Sequence, residues 1–156
     1  MSKNKIINRA TLAIILCSSF PMLIVGCYFV HIPWNMQRLE LTESDLGLAI
    51  LIFGIFFLIS NQFSARFLVP RIGTKIVMSS AMILISFGTV LLVIVPNFTL
   101  FLLCSIPAGL GWGSSAPIGG IHAQLIEQHF KRIVTPYYAM GFNIGIFSGG
   151  LLAAYF

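Results

Sequence analysis

Five apolar stretches divide this chain, at 10–32, 46–65, 76–95, 99–121 and 133–156, and its basic residues fall almost wholly on one side of them. Each stretch is about the 20 residues that a helix needs to cross a hydrocarbon core of about 30 Å. If all five cross, the connections between them alternate sides. Lys3, Lys5 and Arg9 precede the first stretch, Arg66, Arg71 and Lys75 lie between the second and third, and Lys131 and Arg132 lie between the fourth and fifth. These eight share a face, and Arg38 alone falls on the other. Short connections rich in Lys and Arg stay cytoplasmic, so the amino terminus is placed inside. Glu40, Glu43 and Asp45 lie in the one long outer connection.

Composition leaves few alternatives. The 156-residue chain is 58% hydrophobic and 8% charged, whereas a soluble domain carries about a quarter charged residues. A soluble chain this short could not hide so much apolar surface. The runs are apolar on all faces, unlike the alternating strands of about 10 residues in a membrane barrel. The predicted class is therefore all-α: a polytopic transmembrane bundle of about five spans in a bacterial inner membrane. The net charge of +5 does not imply a nucleic-acid partner. The cations are scattered over short connections, where topology and anionic lipid headgroups account for them.

The cysteines do not suggest a metal or redox site. Cys17, Cys27 and Cys104 fall inside spans with no CxxC pair, and read as small apolar side chains. The segment 24–27, Ile-Val-Gly-Cys, is similar to a lipoprotein cleavage box, but the apolar run continues past it, so an uncleaved first helix is predicted. No nucleotide loop, zinc motif or nucleophile elbow is present. No enzyme, cofactor or metal is implied.

Small residues recur at helical spacing. Gly109 and Gly113 form one GxxxG, and Gly141, Gly145 and Gly149 form two in succession. Residues four apart share a helix face, and small ones let two backbones approach. Thr42 or Ser44 is positioned to cap the second span, with Glu43 and Asp45 in its first turn. The run from 76 to 126 lacks any charge, and Pro96-Asn97 divides it by a turn.

The connection 66–75, Arg-Phe-Leu-Val-Pro-Arg-Ile-Gly-Thr-Lys, resembles the loop 2–3 signature of the major facilitator superfamily, Gly-x-x-x-Asp-Arg-x-Gly-Arg-Arg. Arg71, Gly73 and Lys75 match. Arg66 stands at the first Gly, Pro70 at the Asp, and Thr74 at a basic position. Segment 41–47 is similar to that family's entry into its second helix. Segment 109–132, with Gly109, Gly113, Glu127 and Arg132, is similar to its fourth helix and following loop, and Gly141, Gly145 and Gly149 resemble its fifth helix. The sugar-permease-like branch is the nearest in character.

The resemblance implies that residues 1–156 are a partial amino-terminal transmembrane domain, lacking a sixth helix and the carboxy-terminal half. It implies a secondary carrier moving a small polar solute by alternating access between two halves. The resemblance implies that helices one, two, four and five line its cavity or its moving interface. The alternative is a small membrane subunit or scaffold without transport activity, joined to a helical partner through its glycine faces.

Polar groups within apolar spans are costly and face the bundle interior or a wet cavity. His31, Asn35, Asn61, Trp112 and Asn143 are the candidate substrate contacts. His122 is a candidate proton relay, because an unperturbed His titrates near neutrality. Arg71, Gly73, Lys75, Glu127 and Arg132 are the candidate gating residues, with a Glu127–Arg71 or Glu127–Arg132 contact as the expected latch.

Overall fold

The computed structural model describes residues 3–131 and 133–155, with side chains other than those of 3–8 and 10. Six helices follow one another: α1 (Lys3–Arg38), α2 (Glu43–Phe63), α3 (Val69–Ile72), α4 (Thr74–Ile94), α5 (Phe98–Phe130) and α6 (Thr135–Tyr155). No strand occurs among the described residues. Four segments are long and apolar enough to cross a membrane: Thr11–Arg38, Glu43–Ile72, Thr74–Ile94 and Phe98–Phe130. The expected fifth is α6, which falls outside that set. Its glycines, Asn143 and paired tyrosines dilute an otherwise apolar sequence.

Local chemistry sets the helix ends. Thr42 caps α2: its Oγ1 accepts from Asp45 N at 3.2 Å, while Asp45 Oδ2 accepts from Thr42 N at 3.0 Å. This reciprocal box satisfies two donors that a helix start otherwise leaves open. Asn97 caps α5 through its Oδ1, which accepts from Leu100 N at 2.9 Å. The Pro96-Asn97 turn thus separates α4 from α5, as the dipeptide predicts.

The connection 66–75 is not the loop that the sequence suggests. Helix α2 passes through a π-helical turn, Ser64–Leu68, into α3, and the rod ends only at Gly73. The cause is Pro70. A proline ring clashes with the carbonyl four residues back and offers no N–H. Widening the preceding turn moves that carbonyl away, and Val69 N–H donates to Ser64 O, five residues back. Gly73 then breaks the rod with φ at +81°, a conformation open to glycine.

Helix pairing follows the glycines. Gly141, Gly145 and Gly149 of α6 face Ile15, Ser19 and Leu23 of α1 at backbone contact. The numbers rise together, so α1 and α6 run parallel, and α6 shares the depth of α1. Ser19 Oγ donates to Gly141 O at 2.9 Å and Cys27 Sγ to Gly149 O at 3.2 Å. Cys27 therefore lies inside one continuous helix, packed against α6. Gly109 and Gly113 of α5 face Phe53 and Phe57 of α2, again parallel, while Gly88 and Ala108 pair α4 with α5 in antiparallel fashion. These directions are those of a chain that crosses back and forth. Both glycine faces are filled by the chain's own helices.

The interior mixes apolar side chains such as Ile85, Phe101 and Ile118 with small hydroxyl groups, and the exterior is large and apolar. Ser18, Asn35, Ser60, Ser64, Thr89, Ser105 and Ser115 are buried, whereas Phe20, Ile83 and Phe147 are about 70% exposed. Water would penalise such a surface, and lipid does not. In lipid, helices associate through close packing and interhelical hydrogen bonds rather than through an apolar driving force. The pairing of α2 with α5 illustrates this. Ser64 Oγ donates to Ser114 Oγ at 3.0 Å, Ser60 and Ser114 share a bond at 2.6 Å, and Ser60 Oγ donates to Leu110 O at 2.7 Å. With both flanking donations fixed, Ser114 donates to Ser60.

Candidate functional site

A cavity of about 430 Å³ opens between α1, α5 and α6, with Phe57 of α2 and Met78 of α4 completing its wall. Its surface is almost wholly apolar. Pro21, Met22 and Phe29 come from α1, Trp112 from α5, and Phe142 from α6. The polar groups on the wall are few: Ser18, Ser115, His122, Tyr138 and the Trp112 indole. Such a lining suits a largely apolar guest oriented by a small number of polar contacts.

The fold explains why Trp112 stands there. It sits between Gly111 and Gly113, on the part of α5 whose small residues bring it against α2 and α4. Its ring meets Phe53 edge to face at 5.2 Å and 88°, and Phe29 at 6.4 Å and 70°. Two edge contacts on one indole fix its plane, since aromatic pairs favour this geometry.

Of the candidate substrate contacts, only Trp112 is on the cavity wall. His31 lies farther along α1, where its Nδ1 is 2.8 Å from Cys27 O and its ring meets Trp34 edge to face. Asn35 is 1% exposed, and its Oδ1 accepts from Arg38 Nη2 at 3.1 Å. Its Nδ2 is buried without a partner among the described residues. Arg38 also stacks over Trp34 at 4.6 Å. These four residues form a cluster at one end of α1, away from the cavity. Asn61 is half-buried near the π-helical turn, and Asn143 is exposed, its Nδ2 donating to Ala139 O at 2.9 Å. Its own helix answers the Asn143 amide, whereas Asn35 takes one bond from Arg38 and keeps its nitrogen without a partner among the described residues. His122, the candidate relay, does line the wall.

The gating candidates gather at the other end, with one change of role. Glu127 Oε1 accepts from Val134 N at 2.6 Å, Thr135 N at 2.7 Å and Thr135 Oγ1 at 2.8 Å. It ties the end of α5 to the start of α6 and satisfies donors that the helix start would leave open. Among the described residues it makes no ion pair with Arg71, so that expected latch is absent. Arg71 is in the last turn of the α2–α3 rod, Gly73 is the break, and Lys75 is in the first turn of α4. Arg132, and with it the second expected latch, lies outside the described residues.

The residues that sequence reasoning missed are Met22, Phe29, Phe57, Met78 and Phe142. Polarity was the signal sought, and the cavity is apolar. In a helix that is apolar all round, nothing local separates a residue facing a cavity from one facing lipid.

No family model and no solved structure matches the chain. The quinolone resistance protein NorA of Staphylococcus aureus, in strains Mu50 and N315, is 27% identical over 134 residues, which cover 83% of this chain. The same protein of strain MRSA252 is equally similar. The chain spans about a third of the length of these curated relatives, at 34%. It is a multi-pass helical membrane protein.

Proposed function

We propose that this chain forms part of a secondary carrier of the major facilitator type, and that its cavity receives a flat, largely apolar solute with a few polar groups. The observation that carries this reading is the cavity wall, where Trp112, Phe29, Phe57 and Phe142 meet two methionines and only scattered hydroxyl, imidazole and phenol groups. Aromatic edges and polarizable thioethers hold planar ring systems without demanding one exact shape. A sugar would require several converging hydrogen-bond partners, because a buried hydroxyl without one is costly. The wall thus favours an aromatic solute over the small polar one that the sequence suggested.

The similarity to a quinolone resistance protein supports the same choice, since quinolones are fused-ring compounds. It also supports a carrier longer than this chain, in which a second half would complete the cavity. A scaffold that binds its partner through glycine faces is less well supported, because α1 and α2 already occupy both of them.

The test is equilibrium binding to the chain in lipid nanodiscs, with a quinolone and a hexose as ligands. The reading expects saturable quinolone binding and none of the hexose. Trp112→Ala should weaken the quinolone about fivefold, the equivalent of about 1 kcal/mol for lost aromatic contact. Hexose binding, or quinolone binding unaffected by Trp112→Ala, would overturn it.

A further inference from the structure

We propose that the segment carrying Arg66, Arg71 and Lys75 is a docking site for the headgroup of an anionic phospholipid. The inference does not depend on what the cavity binds.

Three cations lie within ten residues of chain, and all three are exposed. Arg66 and Arg71 ride on the continuous rod that ends at Ile72, about 8 Å apart along its axis at 1.5 Å per residue. Lys75 follows the break at Gly73. None of the three meets a carboxylate among the described residues. The chain has four acids, and none pairs with these cations among the described residues. Glu40, Glu43 and Asp45 sit at the opposite end of α2, and Asp45 is engaged with Thr42. The parallel register of α2 and α5 brings Arg71 to about the depth of Glu127, but Glu127 turns its Oε1 to Val134 and Thr135 and makes no ion pair with Arg71 among the described residues. The family signature places an acid at position 70, and this chain has Pro70 there. The three cations are thus free to take a counter-charge from outside the chain.

The neighbours identify the source as lipid. Phe63 and Phe67 meet at 5.4 Å with their rings tilted by 32° on the same rod and are 51% and 48% exposed, and Ile72 and Ile76 are exposed beside the cations. Large apolar groups at the depth of unpaired cations suit acyl chains below and a phosphate above. A free anion would use the cations alone and draw nothing from these side chains. The rod is also held firmly. Ser64, fully buried, bonds to Ser114 just before the cations emerge. Cations near an anionic surface each strengthen attraction about fivefold, and the effect is lost beyond a Debye length.

The test is native mass spectrometry of the chain in detergent, with phosphatidylglycerol and phosphatidylcholine of matched acyl chains. The wild-type chain should retain phosphatidylglycerol about tenfold more. The triple variant Arg66→Gln, Arg71→Gln, Lys75→Gln should lose that preference, whereas Arg9→Gln, Arg38→Gln, Lys131→Gln should keep it. Thr74→Asp keeps all three cations and adds an acid to the first turn of α4, where it favours the helix. It should lower the preference nonetheless. No preference in the wild-type chain, or equal loss in both triple variants, would overturn the site. Displacement of phosphatidylglycerol by millimolar inorganic phosphate would overturn the lipid as its occupant.

Discussion

Glu127 is the residue whose role changed most between sequence and structure. As the sole acid at the basic end of the bundle, it invites pairing with a cation. The structure gives it three donors from the start of α6 instead. Glu127→Ala should therefore speed amide hydrogen exchange at Val134 and Thr135 while leaving α2–α3 unchanged. Exchange altered around Arg71 and not at the start of α6 would argue for the latch. The glycines make a second prediction at this scale. A side chain at Gly145 would run into the Ser19 carbonyl, whereas one at Gly54 would meet nothing within 4 Å. Gly145→Val should cost about 1–3 kcal/mol by overpacking, and Gly54→Ala should be neutral or slightly stabilising, because alanine is the better helix former. Thermal unfolding in detergent separates the two.

At the scale of the element, Pro70 accounts for the π-helical turn. Pro70→Ala removes both the ring clash and the missing donor, so the turn should relax to α-helix and Arg71 should rotate about the rod. Spin labels at 71 and 127 would report the change in distance, and an unchanged distance would mean that something else holds the turn. Ser114→Ala tests the α2–α5 contact. It leaves Ser64 with a buried, unpaired hydroxyl and should cost about 1 kcal/mol. Element positions were legible in the sequence because apolar length, capping residues and the Pro96-Asn97 turn are local signals. The continuation of α2 through Pro70 was not, since a proline between cations reads as a loop until the widened turn is seen. The glycine spacing pointed to close packing but not to its partners, which depend on which helix comes alongside. The cavity was the least legible part. Trp112 drew notice as an aromatic among glycines, whereas Phe29, Phe57 and Phe142 resemble every other phenylalanine in an apolar span.

For the whole molecule, the pieces agree. Parallel pairing of α1 with α6 and α2 with α5, and the antiparallel α4–α5 hairpin, leave a pocket where α1, α5 and α6 meet. Large apolar groups cover the outside, and Arg9, Arg66, Arg71, Lys75 and Lys131 collect at one end, with Arg38 at the other. Whether this pocket admits the proposed aromatic guest can be read at Cys17. It is exposed on the cavity wall, whereas Cys27 and Cys104 are half-buried. With Cys27→Ala and Cys104→Ala in place, Cys17 is the single thiol left in the chain, and its alkylation by a small maleimide can be timed in nanodiscs. A saturating quinolone should slow that reaction several-fold, and a hexose should not. An alkylation rate that the quinolone leaves unchanged would mean that no such guest occupies the pocket.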